Sequence, residues 1–257
     1  KNYHKIVKNK IKINKIKGEK MEFYLGYILS GVAIIISVII ALVAQVKVNN
    51  AFNKYKDVPS SLNMTGRELA EKLSQDNNLG LTVRECQGSL TDHYDPRDKS
   101  INISQSNFNN NSIASQAIVA HEFGHAMQDA EGYAPYKVRQ VVVKVSNLVS
   151  RMLMPLLIIG ILLQVFLMGI AGSLVIYISV AIYAVAVIAN LVTLPVEINA
   201  SSRAKDMLVR IGAGSDEEVQ ATDKVLNAAA LTYVASLMVS LAYFLRFLFL
   251  LLMWRRD

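Results

Sequence analysis

The stretch Ala120-His121-Glu122-Phe123-Gly124-His125-Ala126 sets two histidines four residues apart, with an acid beside the first. On an α-helix, residues i and i+4 lie on one face, so both imidazoles point the same way. Two imidazoles so placed can share a zinc ion, and the adjacent Glu122 can act as general base towards a metal-bound water. With 4 His and 10 Glu in 257 residues, about 0.002 chance occurrences of the pattern are expected, so coincidence on a surface helix explains it poorly. Gly124, between the histidines, keeps the helix slim where another element or a substrate approaches.

Catalytic zinc takes three protein ligands and keeps one position open. The other histidines are His4, in a lysine-rich leader, and His93, between Asp92 and Tyr94. An acid is the better candidate for the third ligand. Glu197 stands out because it directly follows a long apolar run, in Leu194-Pro195-Val196-Glu197-Ile198-Asn199-Ala200. The competing reading makes Glu197 an interfacial acid that merely flanks a helix.

The elements that must bring these residues together are partly membranous. Phe23–Ala44 is 22 residues without a charge, enough to cross a hydrocarbon core of roughly 30 Å as a helix. It exceeds the about 7–15 apolar residues of a cleavable signal, so it reads as an anchor. Met152–Val196 is 45 uncharged residues, too long for one span and suited to two joined by a turn near Gly169–Ser173. A last span covers roughly Ala228–Trp254, and its Arg246 lies near one end, where it can snorkel to the interface. A two-span hairpin returns the chain to the side it left, which makes His121, His125 and Glu197 co-facial.

Between the membrane segments, Thr65-Gly66-Arg67-Glu68 has capping-box spacing ahead of a helix. Leu81–Cys86, Ser89–Tyr94 and Ser100–Ser104 read as strands, with a turn at Asp95-Pro96-Arg97-Asp98 and a small antiparallel hairpin before the motif helix. The strand at 100–104 is a candidate to hold substrate as an added strand. The motif helix is expected from about Ser112 to Ala130, ended by Gly132 and Pro135. Ser215-Asp216-Glu217-Glu218 again has capping-box form and opens the helix that leads into the last span.

The net charge of +7 is carried by residues 1–20, which hold eight lysines and one acid; the other 237 residues balance 19 basic against 19 acidic side chains. A basic surface for nucleic acid is therefore not implied. The leader reads as disordered. Gly18-Glu19-Lys20 can be encoded by a purine-rich run resembling a ribosome-binding site, which makes Met21 a candidate start and the leader non-native. Counted from Met21, eleven basic residues flank the spans on the motif side against two, Arg255 and Arg256, opposite, which places the motif in the cytoplasm. The leader's lysines would cancel that bias. The single cysteine, Cys86, excludes an internal disulfide.

These features resemble the membrane-bound neutral zinc metallopeptidases of bacteria often called YugP-like. The resemblance runs from about Tyr24 onward through Gln45-Val46-Lys47, Asp92-His93-Tyr94-Asp95-Pro96-Arg97, Ala120–Gln128 and Leu194–Ser201. The His-Glu-x-Gly-His core is common to many zincins, and its pairing with the other two segments is more specific. The layout is also similar to HtpX-type membrane proteases, in which a two-span hairpin separates the motif helix from a Glu-x-x-Ala-Asp ligand segment. Here Glu197, Ala200 and Ser201 match it, so a serine replaces the aspartate that would orient a ligating histidine; Ser201 or Asn199 can substitute, Asp206 less readily.

The resemblance implies a mainly α integral membrane protein of the gluzincin type. About four transmembrane helices would accompany a small α+β zincin-like catalytic lobe carrying the hairpin. The expected segments are a leader at 1–20, an anchor at 21–45, the catalytic lobe at 46–151, a two-span hairpin at 152–196, a polar ligand segment at 197–227 and a last helix at 228–257. The implied activity is zinc-dependent endopeptidase action on peptides or membrane proteins at a bacterial cell membrane. Its cofactor is Zn2+, held by His121, His125 and Glu197, and Glu122 is catalytic. His93, Tyr133, Tyr136 and Arg203 are candidates for oxyanion stabilisation, and none is assigned. An intramembrane protease would carry an Asp-Gly ligand motif, and the chain has none. A zinc-binding scaffold without turnover is the remaining rival; it has no need of Glu122.

Overall fold

The structure, a computed structural model, describes residues 2–148, 170–213 and 215–254. In chain order the elements are α1 (Asn2–Tyr55), α2 (Gly66–Asp76), β1 (Thr82–Cys86), β2 (His93–Asp95), β3 (Ser100–Ser104), α3 (Gln105–Phe108), α4 (Ile113–Ala130), α5 (residues 134–148), α6 (Ile170–Arg210) and α7 (Asp216–Trp254). They form two compact units, one of Lys1–Ile40, Val143–Ala189 and Ser236–Asp257, the other of Ala41–Val142 and Asn190–Ala235.

Among the described residues, three helices are long and apolar enough to cross a membrane, over Met21–Tyr55, Tyr177–Arg210 and Asp216–Leu252. The protein is thus a mainly α membrane protein with a small α+β lobe. Of the about four spans expected, the one that would precede α6 falls on residues 149–169, outside the described residues. The turn expected at 169–173 is helical from Ile170 onward. The leader, expected to be disordered, continues α1 from Asn2. It contains no proline and one glycine, and lysine and isoleucine are adequate helix formers.

In the first unit, Ile28 and Ile35 are 61% and 62% exposed, a surface that suits lipid rather than water. Arg246 has a partner there instead of simply snorkelling. Its Nη2 donates to the Tyr27 hydroxyl at 2.6 Å and its guanidinium lies 4.2 Å from the Tyr27 ring centroid. Gly31 makes room, since a Cβ there would lie 2.7 Å from Arg246 Nη1. A cation in a span is thereby paired and stacked on α1.

The second unit has an ordinary hydrophobic core. Thr65 caps α2 with a full capping box to Glu68, and the face carrying Leu69, Ala70 and Leu73 is buried. The sheet order is β1-β3-β2: β2 and β3 form the expected antiparallel hairpin, while β1 runs parallel to β3. The strand expected over Ser89–Tyr94 shortens to His93–Asp95, because Gly88 and Leu90 take positive φ (102° and 57°), a turn conformation. β3 is central, with Ile101 and Ile103 fully buried, so both of its edges are taken. It cannot accept a substrate strand, which corrects that expectation.

Ile101, Ile103, Leu69 and Leu73 share the core with Ala117, Ala120 and Phe123 of α4 and Ala204 and Leu208 of α6. Ser112 caps α4, accepting from the Ser115 N–H, and Gly132 (φ 67°) ends the helix one residue beyond its C-cap, within the bounds read from the sequence. Ser215 caps α7 through the Glu218 N–H at 3.2 Å. The capping box is not completed, because the Glu218 carboxylate instead accepts from Ser60 and Ser61.

Candidate metal centre

The site lies wholly in the second unit and is built by α4, α5 and α6. α6 has 41 residues, roughly 60 Å at helical rise, about twice a hydrocarbon core, so its polar end must project past the apolar stretch. The polar segment expected from Glu197 onward is carried by this same helix as far as Arg210, which continues through Pro195 although proline cannot donate to the Leu191 carbonyl. Glu197 therefore sits on a rigid helix.

α4 and α6 cross closely at Gly124. A Cβ on Gly124 would stand 2.6 Å from the Ala200 carbonyl oxygen and 3.1 Å from its Cα. That approach lets Glu197, one turn before Ala200, reach the histidine face. Ligand atoms of His121, His125 and Glu197 all lie within 4.8 Å of one another. Glu197 Oε2 is 3.1 Å from His121 Nε2 and 3.5 Å from His125 Nε2. The carboxylate is only 1% exposed.

Each imidazole is held from behind. Gln128 donates its amide to the Val196 carbonyl at 2.8 Å and to Asn199 Oδ1 at 2.9 Å, so its own Oε1 faces His125 Nδ1 at 3.0 Å. That oxygen can only accept, so Nδ1 carries the proton and the Nε2 lone pair of the neutral ring turns towards Glu197. Ser201 Oγ lies 3.1 Å from His121 Nδ1, occupying the place left by the missing aspartate. Asn199 acts one step removed, through Gln128. His125 also stacks on Tyr136, with ring centroids 5.8 Å apart.

The donor set fits zinc. Two acceptors, His125 Nε2 and Glu197 Oε2, face each other with no donor of their own between them, an arrangement that calls for a cation or a proton. Two imidazoles and one carboxylate are a familiar catalytic zinc set with room for further ligands.

Glu122 follows His121 on α4 and lines the same cavity. Its Oε2 accepts from the Tyr94 N–H at 3.1 Å, and Tyr94 is pinned in turn by its hydroxyl donating to Asp129 at 2.9 Å. Burial pushes the Glu122 carboxyl above the ordinary glutamate range, against the pull of His121 and His125. For His121, burial disfavours the charged ring, but Glu197 and Glu122 outweigh it and raise its pKa. Burial likewise raises the Tyr136 phenol. Glu122 and His121 line a cavity of about 260 Å³ whose remaining wall is largely apolar, with Phe52, Ile118, Val225 and Ala229.

The family model described as "Putative neutral zinc metallopeptidase" matches residues 30–252. The chain belongs to this family. It is also 39% identical over 216 residues to the "Putative membrane protease YugP" of Bacillus subtilis (strain 168), covering 83% of this chain and 92% of that protein. No solved structure matches. Membership supports zinc as the metal and a peptidase activity, in a multi-pass membrane protein.

Among residues weighed for the oxyanion, Arg203 is committed to Glu131 (2.7 and 2.8 Å) and Asn199 (2.8 Å), and Tyr133 lies beneath it. The exposed His93 turns Nδ1 to the Thr91 carbonyl at 2.9 Å. Two residues near the ligands escaped sequence reasoning. Gln128 carried a weak signal, lying three residues after His125 on the same helix face. Arg139 carried none, because it counted only as one more basic residue beside a span.

Proposed function

We propose that the chain is a membrane-embedded zinc-dependent endopeptidase that hydrolyses peptide bonds near the membrane surface. The observation that carries this reading is the placement of Glu122: a half-buried carboxylate, fixed by a backbone N–H, on the wall of a cavity it shares with the ligand His121. His121, His125 and Glu197 would hold the zinc. Bound zinc supplies a Lewis acid that polarises the scissile carbonyl and makes the attacking water acidic. Glu122 takes the proton of that water and passes it to the leaving amine, and its raised pKa suits both halves of the transfer. Tyr94 and Asp129 keep Glu122 aimed while the proton moves. The apolar wall of the cavity accepts an uncharged side chain of the substrate and excludes water around it.

Glu197 and Tyr233 belong to helices apolar enough to span a bilayer, which favours membrane proteins or membrane-proximal segments as substrates. Counted from Met21, the basic residues beside the spans favour a cytoplasmic site. Labelling of Cys86 in intact cells by a membrane-impermeant thiol reagent would contradict that orientation.

The rival, a zinc-binding scaffold, is separated by Glu122→Gln. The variant is expected to keep zinc and lose roughly 10²–10⁴-fold of peptidase activity. Cleavage at the parent rate by zinc-loaded Glu122→Gln protein would overturn the proposed role of Glu122.

A further inference from the structure

Glu197 raises a question that its ligand role does not answer. A carboxylate 1% exposed must be paired, yet the histidines meet only one of its two oxygens. The other, Oε1, lies 2.6 Å from Nη2 of Arg139. Arg139 reaches it from the start of α5, three residues after the buried Tyr136, while Val138 and Val141 turn outward with 49% and 64% exposure. Arg139 Nε and Glu197 Oε1 are both buried without a hydrogen bond of good geometry, so what joins the two side chains is the close Nη2–Oε1 ion pair.

We propose that Arg139 is the positioning residue of the third ligand, clamping Glu197 by Oε1 so that Oε2 alone is presented to the metal. Two consequences follow from the charge and the geometry. The contact fixes the carboxylate before an ion arrives, so the site is formed in advance rather than assembled around the metal. Occupying Oε1 also disfavours bidentate binding by Glu197 and leaves coordination space for water and a substrate carbonyl. The second consequence rests on the zinc reading above; the first does not. Lysine would supply the charge, but from a single ammonium on a flexible stem in place of the planar guanidinium.

The experiment uses the full chain in detergent micelles, as wild type, Arg139→Gln, Arg139→Lys, Glu197→Gln and the double variant Arg139→Gln/Glu197→Gln. Zinc affinity, measured by competition with a chromophoric chelator, is expected to fall roughly 10–100-fold in Arg139→Gln and to recover in part in Arg139→Lys. With cobalt in place of zinc, the visible bands of Arg139→Gln should weaken towards those of a five-coordinate ion as Glu197 becomes bidentate. In metal-free protein, Arg139→Gln should lower Tm, and the drop should shrink when Glu197 is already Gln. Wild-type zinc affinity together with a wild-type cobalt spectrum in Arg139→Gln overturns the clamp. An equal Tm drop in both Glu197 backgrounds overturns the pairing. If Arg139→Gln does not fold, Arg139→Lys decides, because a wild-type cobalt spectrum and affinity there refute the need for the guanidinium. A wild-type chain that binds neither ion sinks the zinc reading, and the metal-free Tm comparison still tests the pair.

Discussion

Replacing Gly124 with alanine tests whether the site depends on how closely two helices approach. On helix propensity alone the change should stabilise α4 by about 1 kcal/mol. The structure opposes that gain. The new Cβ would stand 2.6 Å from the Ala200 carbonyl oxygen and 3.1 Å from its carbonyl carbon and Cα, and all three are backbone atoms of α6 that no rotamer change can move aside. Ordinary contacts fall near 3.5 Å, so the helices must separate by something on the order of 0.8 Å. Overpacking of this kind costs about 1–3 kcal/mol, which leaves the folded protein from near neutral to about 2 kcal/mol less stable. The effect on metal binding is larger, because α4 carries both histidines and α6 carries Glu197, and a site loosened by about 1 Å fails functionally. Zinc affinity of Gly124→Ala, measured by chelator competition, should drop by roughly tenfold or more while the protein stays folded by circular dichroism. Wild-type zinc affinity with an unchanged or raised Tm would refute the close-crossing argument.

Gln128→Leu removes the acceptor that fixes His125 Nδ1 and the donor to Val196 and Asn199, so zinc affinity should fall roughly 10–100-fold with Glu122 untouched; dialysis against a graded chelator series reads it. Ala229→Phe places a ring in the cavity beside Glu122 and His121, so a peptide library should shift from large to small apolar residues next to the cleavage site without loss of zinc. An unchanged preference would remove that cavity from substrate recognition.

The motif helix was legible almost to the residue, because Ser112, Gly132 and the four-residue histidine spacing are local signals that a helix must obey. Glu197 was found by a topological argument and lies where that argument needs it, although the polar segment expected to carry it is a continuation of the span's own helix. The hairpin was legible too, but not the role of β3: alternation in Ser100–Ser104 reveals a strand and says nothing about which strands flank it. Ser201, Asn199 and, less readily, Asp206 were candidates for the vacant aspartate position, and the distance to His121 Nδ1 selects Ser201.

The sequence by itself determined which side chains can do chemistry and which stretches are apolar enough for a bilayer, since both depend on residue type and short-range spacing. Tertiary structure alone decided what stands behind those side chains. Ser201 behind His121, Arg139 behind Glu197 and the Val196 and Asn199 partners that orient Gln128 depend on three helices meeting across up to 80 residues of chain, and Gly124 sets how near two of them come. Such contacts leave no periodicity in a sequence, because a hydrogen bond between distant helices is set by packing distance and angle rather than by position along the chain.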